Sequence, residues 1–326
     1  MTNQKVTLSE VAKLAGVSLG AVSKVLNGGT SKIGVGAEAR NRILNAARQL
    51  NYHTNMAASI LAGGSSKLIG VFIDSFANYR TLRLLQEIER ISSEHGYRIM
   101  TSVSHDNIAN MKEDFLRLQL YGVTGFICCA HDYPEFRKEV ADIFTDSQNV
   151  VFMEKPSIPG MPYVATSRVE ALTAMIADAR RNGHRTIGLL HGSLVYETED
   201  RLLSEFKTAM KKNGLEIDPK LIFEYPEQTD DPKLRVLAAM EKMILPFHPD
   251  FIFLDDARHG VALRTQLFKA GLDITIHGGN GDPIFDDLGA GMFDPDYEMI
   301  AEELLKHIFY PETRSDIPVI KAVYKK

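Results

Sequence analysis

The sequence predicts an α/β protein in two parts, a small all-α headpiece and a two-lobed core of parallel sheets, and three observations predict it. The first is a split of charge. The 326 residues hold 37 Lys and Arg against 42 Asp and Glu; residues 1–66 hold seven of the bases (Lys5, Lys13, Lys24, Lys32, Arg40, Arg42 and Arg48) and two of the acids (Glu10 and Glu38), leaving 30 and 40 for the rest. The head is therefore +5 and the body −10. The second is a helical apolar period in the head, and the third is a regular alternation of short β-rich apolar runs with amphipathic stretches from Lys67 onward.

The headpiece starts at Thr7-Leu8-Ser9-Glu10, a T-x-x-E capping box in which Thr7 and Glu10 satisfy each other's backbone amides. Val11, Leu14 and Ala15 share one face of the helix that follows. Gly16 supplies the permissive backbone of a tight turn, and Ser18 opens a second helix as its N-cap. In that helix Val22, Val25 and Leu26 form the inward stripe, with Leu19, Gly20, Ser23, Lys24 and Asn27 outward. A third helix over 37–50 completes a small core with Ile43, Leu44, Ala47 and Leu50 and leaves Arg40, Arg42 and Arg48 exposed. A basic patch steers towards phosphates and an acidic surface is repelled by them, so nucleic acid is expected at the head alone.

At this point the chain resembles the lactose-repressor/galactose-repressor (LacI/GalR) family of bacterial transcription regulators. The runs that carry the resemblance are V-T-L-x-x-V-A-x-x-A-G-V-S at 6–18, V-S-K-V-L-N at 22–27, L-N-Y at 50–52, N-x-x-A-x-x-L-A-G at 55–63 and L-I-G at 68–70. The resemblance implies a helix–turn–helix whose second helix lies in the major groove, with Leu19, Gly20 and Lys24 at the base-reading positions. Thr7, Ser18, Ser23 and Asn27 fall where phosphates are held or docking is braced. Leu19 and Gly20 stand in place of larger polar readers, so direct readout rests on Lys24 to a guanine, on apolar contact of Leu19 or Ala21 with a thymine methyl, and on DNA shape. Between Asn27 and Arg40 the chain has about three residues more than is usual in the family. Residues 55–62 resemble the family's hinge helix, capped by Asn55, with Ala58 among the small residues that allow close approach and Leu61 as a wedge between base pairs of the minor groove. The Gly-Gly-Ser-Ser that follows at 63–66 reads equally as a flexible linker, and both states are compatible with folding on DNA.

In the body, strands are expected at 68–73, 97–103, 123–129, 150–153, 186–190, 251–254 and 273–276, and helices near 79–95, 107–120, 134–145, 168–182, 200–213, 231–244, 258–270 and 295–309. A break near 156–162 divides them into two similar halves, as in periplasmic sugar-binding proteins and the family core that looks like them. The expected organisation is a headpiece at 1–54, a hinge and linker at 55–66, and a periplasmic-binding-protein-like core at 67–326. Within the core the N-lobe takes about 67–161 and 288–310, and the C-lobe about 162–287 and 311–326. Ligands in such sheets sit beyond the carboxyl ends of the strands, between the lobes. The loops there offer Asp74, Phe76, His105, Glu154, His191, Asp255 and Asn280. Carboxylates and amides suit hydroxyl groups, and Phe72, Phe76 or Tyr225 could cover an apolar ring face. Leu202 stands where a ligand-clamping arginine is usual, with Arg201 rotated by about 100° along the helix, and Asn280 replaces a usual acid. A sugar, a phosphorylated sugar, another metabolite or no small ligand all stay open.

Other classes are disfavoured. No G-x-G-x-x-G follows the first strand, and no G-x-x-x-x-G-K-[ST] or G-x-S-x-G occurs, so an enzyme and a bound cofactor are not expected. The Gly-Gly-Asn-Gly run at 278–281 is a weak phosphate signal. Neither the ten histidines nor the adjacent pair Cys128-Cys129 has metal-site spacing, and a disulfide between neighbours would staple nothing. With no export signal or membrane span, a reducing cytoplasm is expected. The alternative class, a solute-binding protein without DNA function, would need such a signal and has no use for a basic head. The expected partners are an approximately palindromic double-stranded DNA operator, a small-molecule effector with carbohydrate among the candidates, and a second copy of the chain. Leu82, Leu85 and Ile88 of the 79–95 helix are offered for the dimer.

Overall fold

The computed structural model of the chain describes residues 6–27, 34–53, 65–73, 79–103, 107–130, 134–145, 149–192, 197–225, 229, 231–254, 256–313 and 317–326. The chain divides into two compact units, Met1–Ile69 with Phe115–Thr124, and Gly70–Asp114 with Gly125–Lys326.

The first unit carries three helices, α1 (Leu8–Ala15), α2 (Leu19–Asn27) and α3 (Ala37–Gln49). The Thr7 amide and hydroxyl donate to Glu10 Oε2 at 2.7 and 2.9 Å, and the Glu10 amide donates back to Thr7 Oγ1 at 3.4 Å, so both halves of the capping box are made. α1 ends at Gly16, whose φ of 65° and ψ of 41° lie in the left-handed region that favours glycine. α3 closes with a Schellman turn: the Tyr52 amide donates to Ala47 O (2.8 Å) and the Asn51 amide to Arg48 O (3.1 Å), with Asn51 at φ 48°. Asparagine tolerates that conformation better than other side chains, and Tyr52 packs back on the helices, which gives the L-N-Y run a physical reason. Val11, Val22 and Ile43 are fully buried and meet Ala12, Ala15, Ala21, Ala46 and Ala47 in one core. Elsewhere in the unit Ser66 Oγ donates to Gly122 O at 2.5 Å, and Ser65 Oγ lies 3.1 Å from Thr124 Oγ1.

The second unit is built on two principal sheets. One has the order β11-β5-β4-β3-β1-β2, from β1 (Leu68–Ile73), β2 (Arg98–Val103), β3 (Gly125–Cys128), β4 (Val150–Met153), β5 (Tyr163–Ser167) and β11 (Val319–Lys321). The other has the order β7-β6-β8-β9, from β6 (Ile187–His191), β7 (Ile222–Glu224), β8 (Phe251–Leu254) and β9 (Thr275–His277). Numbered within its own half, each begins 2-1-3-4, so both halves reverse direction between their first and third strands, where doubly wound sheets open a crevice. The pairings of β3 with β4, β4 with β5, β5 with β11 and β6 with β7 and β8 are parallel.

α4 (Tyr79–Glu94), α5 (Ile108–Leu120), α6 (Arg137–Phe144) and α12 (Tyr297–Phe309) accompany the first sheet, where Phe144 packs edge-on against both Phe72 and Phe152. α7 (Val169–Arg181) and α8 (Glu197–Lys212) share one apolar cluster with β6 and β8. α9 (Pro232–Ala239), which continues through a π turn at Met240–Ile244, and α10 (Ala257–Ala270) cover the opposite face with α11 (Ile284–Asp287). Two-stranded pairing of β10 (Met292–Asp294) with β12 (Val323–Lys325) completes the second lobe.

Three expectations need correction. The lobe boundary falls later than 162, because Tyr163–Ser167 is a strand of the first sheet. The 311–326 tail is divided, since β11 joins the first sheet and β12 pairs with β10, while Met292 and Phe293, expected in the N-lobe, pack in the clusters of the second sheet. Ile88 faces its own core, fully buried, and is unavailable to a dimer partner; Leu82 is exposed.

Candidate nucleic-acid interface and interlobe site

α2 is positioned by its two ends and its buried stripe. Ser18 Oγ accepts from the Ala21 amide at 3.3 Å, fixing the first turn, and Val22 locks the inward face. Leu19 is then 53% exposed, Ser18 and Thr7 are exposed, and Gly20, Ser23 and Lys24 are half-buried. Asn27 ends the helix, and its side chain lies outside the described residues. Ala21 departs from expectation. At 8% exposure its methyl belongs to the three-helix core, which leaves Leu19 as the exposed apolar side chain at the start of α2.

On α3, Arg40, Arg42 and Arg48 are exposed; Arg42 lies 3.5 Å from Glu38, an open pair that costs little to break. Hydrogen bonds from the Thr7 amide and hydroxyl hold the Glu10 carboxyl below its ordinary range. Glu10 therefore stays ionised at the α1 N-terminus, where negative charge suits the helix dipole. Asn55, Ala58 and Leu61 lie outside the described residues.

In the core the structure brings together two of the expected ligand residues. Glu154 follows β4 with φ at 68°, and its amide donates to Val164 O at 2.8 Å. Its carboxylate accepts from the Thr166 hydroxyl, from the Thr166 amide at 3.4 Å, and from Arg201 Nη1. Arg201, on α8, donates through Nη2 to Thr166 O at 2.5 Å and faces Glu205 at 3.9 Å. Glu205 in turn holds Arg168, its Oε2 accepting from Nε at 2.5 Å and its Oε1 from the backbone amide at 3.2 Å. Leu202, by contrast, is buried in the second lobe's core, so the helix presents Arg201 to the acid instead. Thr166, Arg168 and Glu205 were missed by sequence reasoning. Only Glu205 left a signal, one helical turn beyond Arg201.

The other candidates are not drawn into this group. His191 is the last residue of β6, 3% exposed, with its carbonyl taken by the Tyr225 amide at 2.9 Å. Phe72 and Tyr225 are core residues and offer no ring face to a ligand. Asn280 sits at φ 64°, its carbonyl accepting from the Tyr297 hydroxyl at 2.9 Å. The glycines beside it are demanded by packing: a Cβ would lie 2.0 Å from Phe285 at Gly278 and 2.5 Å from Phe293 at Gly279. Close aromatic contact explains that run without a phosphate. Asp74, Phe76, His105 and Asp255 lie outside the described residues. Among the described residues no group of three His, Cys, Asp or Glu could hold a metal ion, and no helix is long and apolar enough to cross a membrane.

Residues 7–55, the capped three-helix segment, match the profile of the bacterial regulatory proteins of the lacI family. This segment is therefore similar to the DNA-binding headpiece of that family. The sucrose operon repressor of Klebsiella pneumoniae is 25% identical to this chain over 224 residues, 68% of the chain and 66% of that protein. The HTH-type transcriptional repressor PurR of Pasteurella multocida is 26% identical over 221 residues, 67% and 64% respectively. The match thus spans just under two thirds of these relatives' lengths. The fructose operon regulatory protein of Vibrio cholerae is 35% identical over 101 residues, 31% of each chain. In structure the chain is similar to the Lac repressor dimer bound to operator and the anti-inducer ONPF, with a TM-score of 0.81 at 20% identity, covering 99% of this chain and 98% of that one. The fold described above, a helix–turn–helix headpiece and a periplasmic-binding-protein-like core of parallel sheets, is shared with that structure.

Proposed function

We propose that this chain is a regulator of the LacI/GalR family, a sequence-specific DNA-binding transcriptional repressor whose operator affinity is set by a small molecule bound between the lobes. The observation that carries the reading is the geometry of α2: a helix capped by Ser18 and anchored by Val22 presents Leu19, Ser23 and Lys24 on one side of a basic headpiece. Such a helix fits the major groove, with Lys24 for a guanine, Leu19 for a thymine methyl, and Thr7, Ser18, Ser23 and Asn27 for phosphates. Asn55, Ala58 and Leu61 complete the contact at the minor groove, and residues 1–54 act as the DNA-binding module.

Pairing of two copies makes the operator approximately palindromic. The effector reading is supported by Glu154 and Arg201 meeting at the carboxyl edge of β4; Asp74, Phe76, His105 and Asp255 remain candidates from the sequence alone. The relatives named for sucrose and fructose operons favour a carbohydrate or its phosphate. The protein works in the bacterial cytoplasm and performs no catalysis.

The test is selection of genomic fragments by the full chain at moderate ionic strength, followed by titration of the winner at rising salt. An enriched palindromic site whose affinity falls steeply with salt is expected, since each phosphate neutralised releases counterions. No enrichment above random DNA, with or without cell extract, would sink the reading.

A further inference from the structure

The four charged groups around Thr166 are drawn from both lobes. Glu154 stands at the carboxyl end of β4 in the first sheet, and Thr166 belongs to β5 in the same sheet. Arg168 lies just past the end of β5, where the chain enters α7, and Arg201 and Glu205 sit one turn apart on α8, whose apolar face packs in the core of the second lobe. The charges alternate in a line, Glu154, Arg201, Glu205, Arg168, with no net charge. Both acids and Arg168 have side chains about nine-tenths buried, whereas Arg201 is 35% exposed. Only Arg201 makes the crossing: its two terminal nitrogens bind a carboxylate and a carbonyl of the first lobe, while its helix is rooted in the second.

We infer that this line of charges is an interlobe latch that holds the two halves of the core together in the absence of effector, with Arg201 as the bolt. Three features argue for a latch rather than a passive ion pair. Glu154 is held in the left-handed region, a costly conformation for a residue with a side chain, so the β4 exit is bent to aim its carboxylate. Glu154 would not lose every partner on release, because the Thr166 hydroxyl and amide stay with it on its own lobe. Arg201 would likewise keep Glu205, four residues along the same helix. Each half is therefore partly satisfied when parted, which is what a reversible contact requires and what a pair buried for stability alone lacks. A ligand that engages Arg201 has to compete with Glu154, so effector binding and latch release are linked. The inference rests on the reading above for what lobe movement does to DNA binding, and not for the movement itself.

The test measures the interlobe distance without DNA or effector. Nitroxide labels are placed by Lys138→Cys on α6 and Lys207→Cys on α8 in the full chain, with Cys128 and Cys129 replaced by Ala. The unmodified latch is expected to give a narrow distance distribution. Arg201→Met should broaden and lengthen it, and Arg201→Lys should restore part of the narrow population. Since Arg201→Met leaves Glu154 without its cation, the neutral pair Glu154→Gln with Arg201→Met is measured alongside; it should also open while melting close to the parent. A distribution unchanged in both variants overturns the latch. Loss of operator selection with an intact distance response would fail the regulator reading alone, so the two outcomes are separable.

Discussion

Ile43→Ala offers a sharp test of how the headpiece is held. Ile43 is fully buried at the centre of a core whose other members are mostly alanines, with Val11 and Val22 as the remaining fully buried large side chains. Truncating a buried Ile to Ala costs about 2–5 kcal/mol, the transfer of the lost methyl groups plus the cavity left behind. Against this, a module of roughly 45 residues has about 2–7 kcal/mol of stability in total. A loss of about 3 kcal/mol lowers the folding constant by roughly a hundredfold, and the apparent affinity for DNA falls by the fraction left unfolded. Ile43→Ala should therefore lower the headpiece melting transition and weaken operator binding as growth temperature is approached, while the melting of residues 70–326 stays put. Ile43→Val, at about 1 kcal/mol, should keep most of the affinity and only lower the temperature at which it is lost. The assays are DNA titration by fluorescence anisotropy and a calorimetric scan of the same samples. Wild-type affinity in Ile43→Ala, or an equal fall in both melting transitions, would refute the claim that this side chain anchors an independent module.

Three further outcomes are expected. Lys24→Ala should cost about 1–3 kcal/mol on the best operator and relax preference at one base position, measured by titrating single-base variants; an equal loss on every sequence would mean a phosphate contact only. Gly16→Ala and Asn51→Ala should each lower the headpiece melting point, by roughly 1–2 kcal/mol at Gly16, because both backbones are left-handed and nothing else crowds Gly16; Asn51→Gly should be neutral or stabilising, and the reverse order would contradict the turn geometry. His259 is buried against Tyr225 with neither ring nitrogen hydrogen-bonded, and desolvation above all lowers its pKa to about 4 from the ordinary 6.5. Its neutral form is the folded one, so its contribution is complete above pH 6.5 and is lost as the pH falls towards 4. The loss is at most about 3 kcal/mol at 1.36 kcal/mol per unit. His259→Phe should flatten the fall in melting temperature between pH 6.5 and 4, and an unchanged slope would assign that fall to other groups.

The headpiece could be read from sequence nearly residue by residue, because its determinants are local. A capping box, a left-handed glycine and an N-cap serine each act within four positions, and they fixed the start of α1, the turn and α2. Ala21 shows the limit. Its helical angle places it at the edge of the inward stripe, and only packing against α3 decides which side it joins. In the core the long alternating elements were equally plain, with β4 and β8 found at their observed bounds. The strands that escaped are β5, β7, β10, β11 and β12: the last four are three residues each, too short to show a period of two and held by partners far away in the chain, and β5, Tyr163–Ser167, has one fully buried position and no apolar run. The Glu154–Arg201 contact eluded the pattern for the same reason. A one-position shift along α8 looks like the loss of an arginine until the tertiary fold shows where its guanidinium reaches.

The chain passes between the lobes at three places, after Ser167, after Asp294 and at Ala322, and these passages are laced to one another. The Ala322 amide donates to Ser167 O at 2.9 Å, and Asp294 pairs with Val323 in the register of β10 and β12. Bending across such a seam leaves its hydrogen bonds intact, whereas sliding one lobe past the other would break them. Of the two, turning about the seam, as a book turns about its spine, is the motion those bonds permit. On the proposed reading, an effector held between the covers would be read out as one angle.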